Sequence, residues 1–236
     1  MNKGKLYMIP NFLEEESLHV LPVYLKDAIE SCSMFLVEHA KVARKLLIGM
    51  GLKEHINKAE WELMDKKGND PITWIEWLNP CLNGENVGII SDAGCPGVAD
   101  PGADIAKMAH EMGIQVVPLV GPSSILMGLM ASGLNGQSFS FWGYLPIESR
   151  DRSKRLRELE KQSKQFNQTQ IFIETPYRNN QMMKEILNAC HPETQICIAS
   201  NITAKNELIQ TKSVKNWKGK LPEINKIPAV FYLLAK

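Results

Sequence analysis

The stretch SDAGCPGVADPG, Ser91 to Gly102, directly follows the apolar run VGII at Val87 to Ile90 and holds three glycines, two prolines and two aspartates. Gly94, Gly97 and Gly102 permit backbone conformations closed to other residues and let a ligand approach the main chain. Pro96 and Pro101 fix φ and so lower the entropy lost when the loop orders. In open α/β sheets, ligands sit beyond the carboxyl ends of the strands, and this loop occupies such a place. Asp92 could contact a ligand there or close an Asx-turn. Asp100-Pro101 reads as a helix start, with Asp as N-cap and Pro at the first helical position. The loop spells neither G-x-G-x-x-G nor G-x-x-x-x-G-K-[ST], which argues against a dinucleotide or P-loop nucleotide site.

A second small-residue loop, VGPSS at Val120 to Ser124, also follows a predicted strand. Gly121 and the two hydroxyls could bind a carboxylate or a ribose through backbone N–H groups at the next helix start. Equally, Ser123 or Ser124 could do no more than cap that helix. The segment RDRSKRLR, Arg150 to Arg157, has five basic residues in eight. It could neutralise phosphates as a basic segment, or form a solvated helix face paired with Glu158 and Glu160; Arg44 and Lys45 pose the same choice. Trp74 and Trp77 at i, i+3 with Ile75 and Leu78 suggest helix packing more than base stacking, and Leu126, Met127, Leu129 and Met130 read as a buried helix. The five histidines match no HExxH or other metal-ligand spacing, so no metal is expected.

These loops need elements to hold them. Strands are predicted at Leu6 to Ile9, Met34 to Val37, Val87 to Ile90 and Gln115 to Val120. Helices lie between, at Leu21 to Ser31, Lys41 to Met50, Ile72 to Leu82 and Ala103 to Met112, with Gly51 and Gly113 at helix-ending positions. Continuous apolar strands alternating with helices imply a parallel sheet covered on both faces. Beyond Ser124, helices are expected at Ile125 to Ser132, Arg152 to Lys164 and Asn180 to Ala189. Strands are expected there at Phe139 to Trp142, Gln170 to Glu174, Gln195 to Ala199, Leu208 to Lys212 and Ala229 to Leu234. The late strands have short connections, which suggests a mixed sheet. The expectation is an α/β protein of two domains, 1–120 with a mostly parallel sheet and 121–236 with a mixed one.

The 236 residues, 44% hydrophobic and 22% charged, suit a globular protein with a sizeable core. At a formal charge of +1, any nucleic-acid affinity must come from a local patch. Five cysteines, odd in number and never spaced as CxxC, argue against a disulfide framework or structural zinc and fit a reducing cytoplasm. The opening MNKGKLYMIPN reads as neither a signal peptide nor a membrane span, and no membrane association is expected.

Eight stretches in order resemble the tetrapyrrole methylase superfamily of S-adenosylmethionine-dependent methyltransferases. They are KLYMIPN, VEHAKVARKLL, ISDAGCPGVADPG, VVPLVGPSS, ASGL, FSFWGYLP, IFIETPYR and NITAKNE. More narrowly, the chain is similar to bacterial enzymes that methylate a cytidine 2′-hydroxyl of small-subunit ribosomal RNA. The resemblance implies two domains, a homodimer, and an active-site cleft between the domains that holds S-adenosylmethionine. It carries cofactor contacts onto Pro10, Asp92, Gly94, Cys95, Ser123 and Ser124. In the second half it carries them onto Thr175, Tyr177, Asn201, Ile202, Thr203, Pro228 and Ala229. The family's glutamate-serine-proline-histidine-arginine element keeps Glu174, Pro176 and Arg178. Several positions depart from the pattern. Asn11 stands where a glycine usually follows the proline, Glu38-His39-Ala40 where a glutamate-aspartate-threonine triplet is usual, and Cys95 where threonine is common. KAEWELMDKKGND replaces a segment rich in His and Asn, the usual lysine after Thr203 is displaced or lost to Lys205, and the sequence ends at FYLLAK without the small extension of many ribosomal members.

Methyl transfer from a sulfonium is an in-line displacement governed by alignment. A hydroxyl acceptor also needs a base. Glu38, Glu174, Tyr177, Lys205 and Glu207 are possible bases, none with an identifying spacing. Arg44, Arg150, Arg152 and Arg155 are the expected substrate-binding residues. Three functions remain open at this point: transfer to ribosomal RNA ribose, with ribosomal RNA or the small ribosomal subunit as partner; transfer to a tetrapyrrole or other small molecule; and donor binding without transfer.

Overall fold

The computed structural model describes residues 2–64 and 70–236. They form two compact units, residues 1–123 and 124–236. In the KAEWELMDKKGND segment, residues 65–69 lie outside the described residues.

The first unit runs β1 (Lys5–Ile9), α1 (Leu25–Glu30), β2 (Cys32–Val37), α2 (Ala40–Gly49), β3 (Glu60–Leu63), α3 (Pro71–Leu82), β4 (Asn86–Ile90), α4 (Ala103–Glu111) and β5 (Gln115–Pro118). Its sheet has the order β3-β2-β4-β1-β5, and every pair is parallel. Successive side chains of a strand point to opposite faces, so each buried strand feeds two cores. Phe35 and Val37 of β2 pack with Leu25, Ile29, Ala43, Leu46 and Leu47 from α1 and α2. Met34 and Leu36 pack with Trp77, Leu78, Cys81, Ile105 and Ala109 from α3 and α4 on the other face. The helices present the i, i+3, i+4 stripe this requires, as Ala43, Leu46 and Leu47 do in α2.

Four expectations are corrected here. The helix predicted from Leu21 begins only at Leu25, because Leu21 precedes Pro22 and is extended (φ −83°, ψ 134°). The strand predicted to Val120 stops at Pro118, and the Val120 N–H donates to Tyr24 Oη at 2.6 Å instead of to the ladder. Strand β3 was not expected: Glu60 and Glu62 are exposed at the sheet edge, so the apolar run that marks a buried strand is missing. Asp100-Pro101 does not start α4; its N-cap is Gly102 at φ 119°, a conformation that favours glycine. The Asp-Pro start is found instead at α3, where the Asp70 side chain accepts from Thr73 N at 2.9 Å and Pro71 is the first helical residue.

The second unit runs α5 (Ser124–Ser132), β6 (Phe139–Tyr144), α6 (Ser149–Phe166), β7 (Thr169–Ile173), α7 (Asn179–Ala189), β8 (Gln195–Ser200), β9 (Leu208–Ser213), α8 (Val214–Trp217) and β10 (Ala229–Leu234). Its sheet order is β6-β7-β10-β8-β9; β6 and β7 are parallel and the other pairs antiparallel. Leu156, Leu159, Met182, Met183, Ile186 and Trp217 from α6, α7 and α8 cover Phe172, Ile198 and Phe231 on one face. On α5, Gly128 lies so close to β10 and β8 that a Cβ would meet Tyr232 Oη at 2.1 Å. The helix expected to be buried here is so only in part: Leu129 is buried, whereas Leu126 and Met130 are exposed. Among the described residues no helix is long and apolar enough to cross a membrane.

Candidate functional site

At the carboxyl ends of the first unit's strands, four loops are tied to one another. Asn11, after β1, pairs its backbone with Gly94, after β4: Asn11 N donates to Gly94 O at 2.9 Å and Gly94 N to Asn11 O at 3.1 Å. The Asn11 side chain is fully buried, and its Nδ2 donates to Ser91 O at 3.0 Å and Asp92 O at 3.4 Å, while Oδ1 accepts from Phe12 N at 2.9 Å. Each polar atom of that amide therefore has a partner, as a buried amide requires. Within the β4 loop, Ser91 Oγ donates to Asp100 Oδ2, which fixes the carboxylate that the sequence offered as a cap. Cys95 Sγ donates to Pro122 O at 3.5 Å, joining this loop to the one after β5. Gly121 lies flat on Pro10, where a Cβ would meet Pro10 Cβ at 2.2 Å.

The loop after β2 joins the same cluster through one contact. His39 Nδ1 lies 2.5 Å from Asp92 Oδ2, with side chains 56% and 31% exposed. Pro10, Asp92, Gly94, Cys95 and Ser123, five residues read as cofactor contacts, thus lie on the loops of one sheet edge. Asn11 and His39 share the cluster, and no functional role is assigned to them from the sequence. The only signal for either was a departure from the family pattern.

In the second unit, the carboxyl ends of β7 and β8 and the start of β10 also gather three loops. Lys226 N donates to Pro176 O at 2.9 Å, and Asn201 N donates to Pro228 O at 3.1 Å. Asn201 and Thr203 adopt positive φ of 47° and 74°, and Glu207 Oε2 accepts from Thr203 N at 2.8 Å, bracing the turn. Thr175, Tyr177, Asn201, Ile202, Thr203 and Pro228 are on these loops, and Ala229 is the first residue of β10; Ser124 opens α5 and Ile202 is buried.

A buried ion network supports this edge. Glu174 Oε1 accepts from Thr175 N at 2.6 Å and from Arg178 Nη2 at 2.7 Å. Glu174 Oε2 has no hydrogen-bond partner and lies 4.0 Å from Arg152 Nη1. Arg152 is 1% exposed; Nε and Nη2 donate to the two Glu185 oxygens at 2.5 Å, and Nη1 donates to Ile147 O at 2.7 Å. The hydrogen bonds from Arg152 hold the Glu185 carboxyl below the usual carboxylate range. Arg152 is therefore a framework residue, which corrects its reading as a substrate contact: a guanidinium with its donors spent inside the fold cannot neutralise a phosphate.

The other substrate-side arginines are exposed or half-buried. Arg44 lies over the Trp61 ring at 5.7 Å and Arg155 over Trp142 at 4.3 Å, with Arg155 Nη1 also 3.3 Å from Glu158. Arg150 is exposed at the start of α6. Of the suggested bases, Glu174 and Glu207 are engaged in bracing the backbone, and Tyr177 is 74% exposed. Glu38 and Lys205 each have an interaction of their own. Trp77 and Leu78 are buried and Trp74 is partly buried against the same core, in keeping with helix packing, whereas Ile75 is exposed.

Comparison with known proteins adds to this geometry. The family model for Tetrapyrrole (Corrin/Porphyrin) Methylases matches residues 21–216. The chain is 32% identical over 184 residues to the ribosomal RNA small subunit methyltransferase I of Vibrio cholerae serotype O1, a match that covers 78% of this chain and 60% of that one. It is also 32% identical over 208 residues to the protein of the same name from Escherichia coli O157:H7, covering 88% of this chain and 68% of that one. The chain thus spans about 60% of the length of the Vibrio cholerae relative. The crystal structure of the methyltransferase CobJ is similar at a TM-score of 0.65 and 15% identity, over 98% of this chain and 94% of that one, a likeness of fold.

Proposed function

The chain belongs to the tetrapyrrole methylase family, and from that premise we propose that it transfers a methyl group from S-adenosylmethionine to a ribose 2′-hydroxyl of small-subunit ribosomal RNA. The observation that carries the proposal is the tied cluster of loops after β1, β2, β4 and β5, with the Asp92 carboxylate on its surface. The methyl donor carries a sulfonium, an ammonium, a carboxylate and ribose hydroxyls. A carboxylate at Asp92, the hydroxyl of Ser123 and a small-residue backbone at Gly94 and Gly121 suit those groups in charge and size. Bound there, the donor supplies an activated methyl group.

The residues of this chain then do three things. Asp92, Gly94, Cys95 and Ser123 hold the donor against a wall already ordered by Asn11 and Cys95, so little entropy is lost on binding. Thr175, Tyr177, Asn201, Ile202, Thr203, Pro228 and Ala229 of the second unit supply further contacts on backbone braced by Glu174 and Glu207. Alignment of donor and acceptor contributes on the order of 7–11 kcal/mol to lowering the barrier. Arg44 of the first unit and Arg150 and Arg155 of the second neutralise phosphates of the RNA, since a chain of formal charge +1 must draw such affinity from individual cations. The names of the relatives support the RNA acceptor. The family resemblance supports a homodimer, and five cysteines without a disulfide among them suit a reducing cytoplasm.

Radiolabelled methyl transfer to undermethylated small ribosomal subunits tests the proposal, with label expected on RNA ribose. Label found only on a small tetrapyrrole would move the acceptor. Absence of calorimetric donor binding at millimolar concentration would overturn donor binding altogether.

A further inference from the structure

Within the first unit, the His39–Asp92 contact has a geometry that packing alone does not require. In the sheet β2 and β4 are neighbours. The chain leaves β2 through α2 on one face and leaves β4 through α4 on the other. Loops that depart to opposite faces open a crevice outside the carboxyl ends of the two strands, the place where open α/β sheets bind ligands. His39 comes from the loop on one side of that crevice and Asp92 from the loop on the other, and their side chains meet across it at 2.5 Å. Asp92 does not swing freely: its carbonyl accepts from the buried Asn11 amide. The carboxylate accepts from His39 Nδ1, so a neutral ring carries its proton on Nδ1 and keeps the lone pair on Nε2. More than half of the His39 side chain is exposed.

We propose that His39 is the proton acceptor of the methyl-transfer reaction, with Asp92 as the residue that sets its tautomer and orientation. The inference rests on the methyltransferase function proposed above. In the step, the acceptor oxygen bonds to the methyl carbon, and the carbon–sulfur bond breaks with its electron pair left on sulfur as a neutral thioether. The hydroxyl proton passes to His39 Nε2. The resulting imidazolium faces the Asp92 carboxylate and later releases the proton to water. Imidazole exchanges protons near neutral pH, and a hydrogen-bonded carboxylate fixes its direction.

Two measurements test the dyad, with the wild-type protein as reference in both. Where wild-type protein labels undermethylated small subunits, His39→Ala and His39→Gln should each lower kcat by about 10²–10⁴-fold, with donor affinity by calorimetry unchanged within about threefold and part of the His39→Ala loss restored by added imidazole. A kcat within threefold of wild type would overturn the inference while leaving methyltransfer intact; failure of the wild-type protein to label any acceptor would reject methyltransfer itself. The second readout needs no turnover. Nitrogen-15 NMR of the histidine rings should show the neutral His39 ring protonated on Nδ1, and Asp92→Asn should abolish that preference. A neutral ring protonated on Nε2 in the wild-type protein would overturn the dyad.

Discussion

Arg152 stands in the middle of a basic run, yet its guanidinium is spent on Glu185, on the carbonyls of residues 146 and 147, and on the field of Glu174. Removing one partner of such a buried set leaves charges without compensation. Arg152→Ala should therefore cost about 3–5 kcal/mol, read as a shift in the urea midpoint at unchanged m-value. The pH dependence has a definite sign. Glu185 is held below its ordinary value of 4.5 by the hydrogen bonds from Arg152. A carboxyl lowered on folding contributes its stability above the unfolded value and loses it as pH falls through the folded one. The gap between wild type and Arg152→Ala should be full at neutral pH and narrow once the pH drops below 4.5. A gap of constant size from neutral pH down to pH 3 would show that the pair carries no linkage.

Among the elements, the strands of the first unit matter less for their own contacts than for the loops they aim. Gly121 is the position at which the β5 loop touches the β1 loop, with a would-be Cβ 2.2 Å from Pro10 Cβ and 2.3 Å from Pro10 Cγ. Gly121→Ala must push the two loops apart. The expected outcome is a loss of about 1–3 kcal/mol in stability, as for other overpacked sites, together with weaker donor binding by calorimetry. Lower stability with donor affinity unchanged would remove the β1 and β5 loops from the donor site. The same scale explains which elements were legible. Strands β1, β2 and β4 are continuous apolar runs because helices cover both faces of the sheet. The edge strand β3 has only one half-buried tryptophan between exposed glutamates, so its sequence carries no comparable mark.

The whole molecule keeps four of its five cysteines buried, two in each unit, and leaves only Cys95 half-buried. Burial pushes the Cys32 thiol up to about 12, Cys81 to about 11 and Cys190 to about 12. Since the thiolate is the reactive form, these thiols should stay silent until a unit opens. Burial raises the Cys95 thiol as well, but that thiol is only half-buried, so dithionitrobenzoate added to native protein should label Cys95 first and all five only in denaturant. If the β4 loop holds the donor, S-adenosylmethionine should slow that first reaction. Rapid labelling of several native thiols would contradict the packing of both units, and a Cys95 rate indifferent to donor would take Cys95 out of the donor site.

The sequence by itself determined the fold class, two α/β halves, and the small-residue loops at the strand ends, because both depend on local rules. Apolar runs of strand length must be buried, and glycine and proline control the backbone wherever they stand. It could not determine which partner each polar side chain would take. Asp100 reads as a cap and binds Ser91; Arg152 reads as a surface cation and lies in the core; Asn11 and His39 receive no functional role from the sequence and yet tie three loops to one another. Those outcomes follow from strand order, which places residues 39 and 92 side by side across β2 and β4 although 53 positions separate them along the chain. Hydrogen bonds and ion pairs form between neighbours in space, and only the tertiary structure decides who those neighbours are.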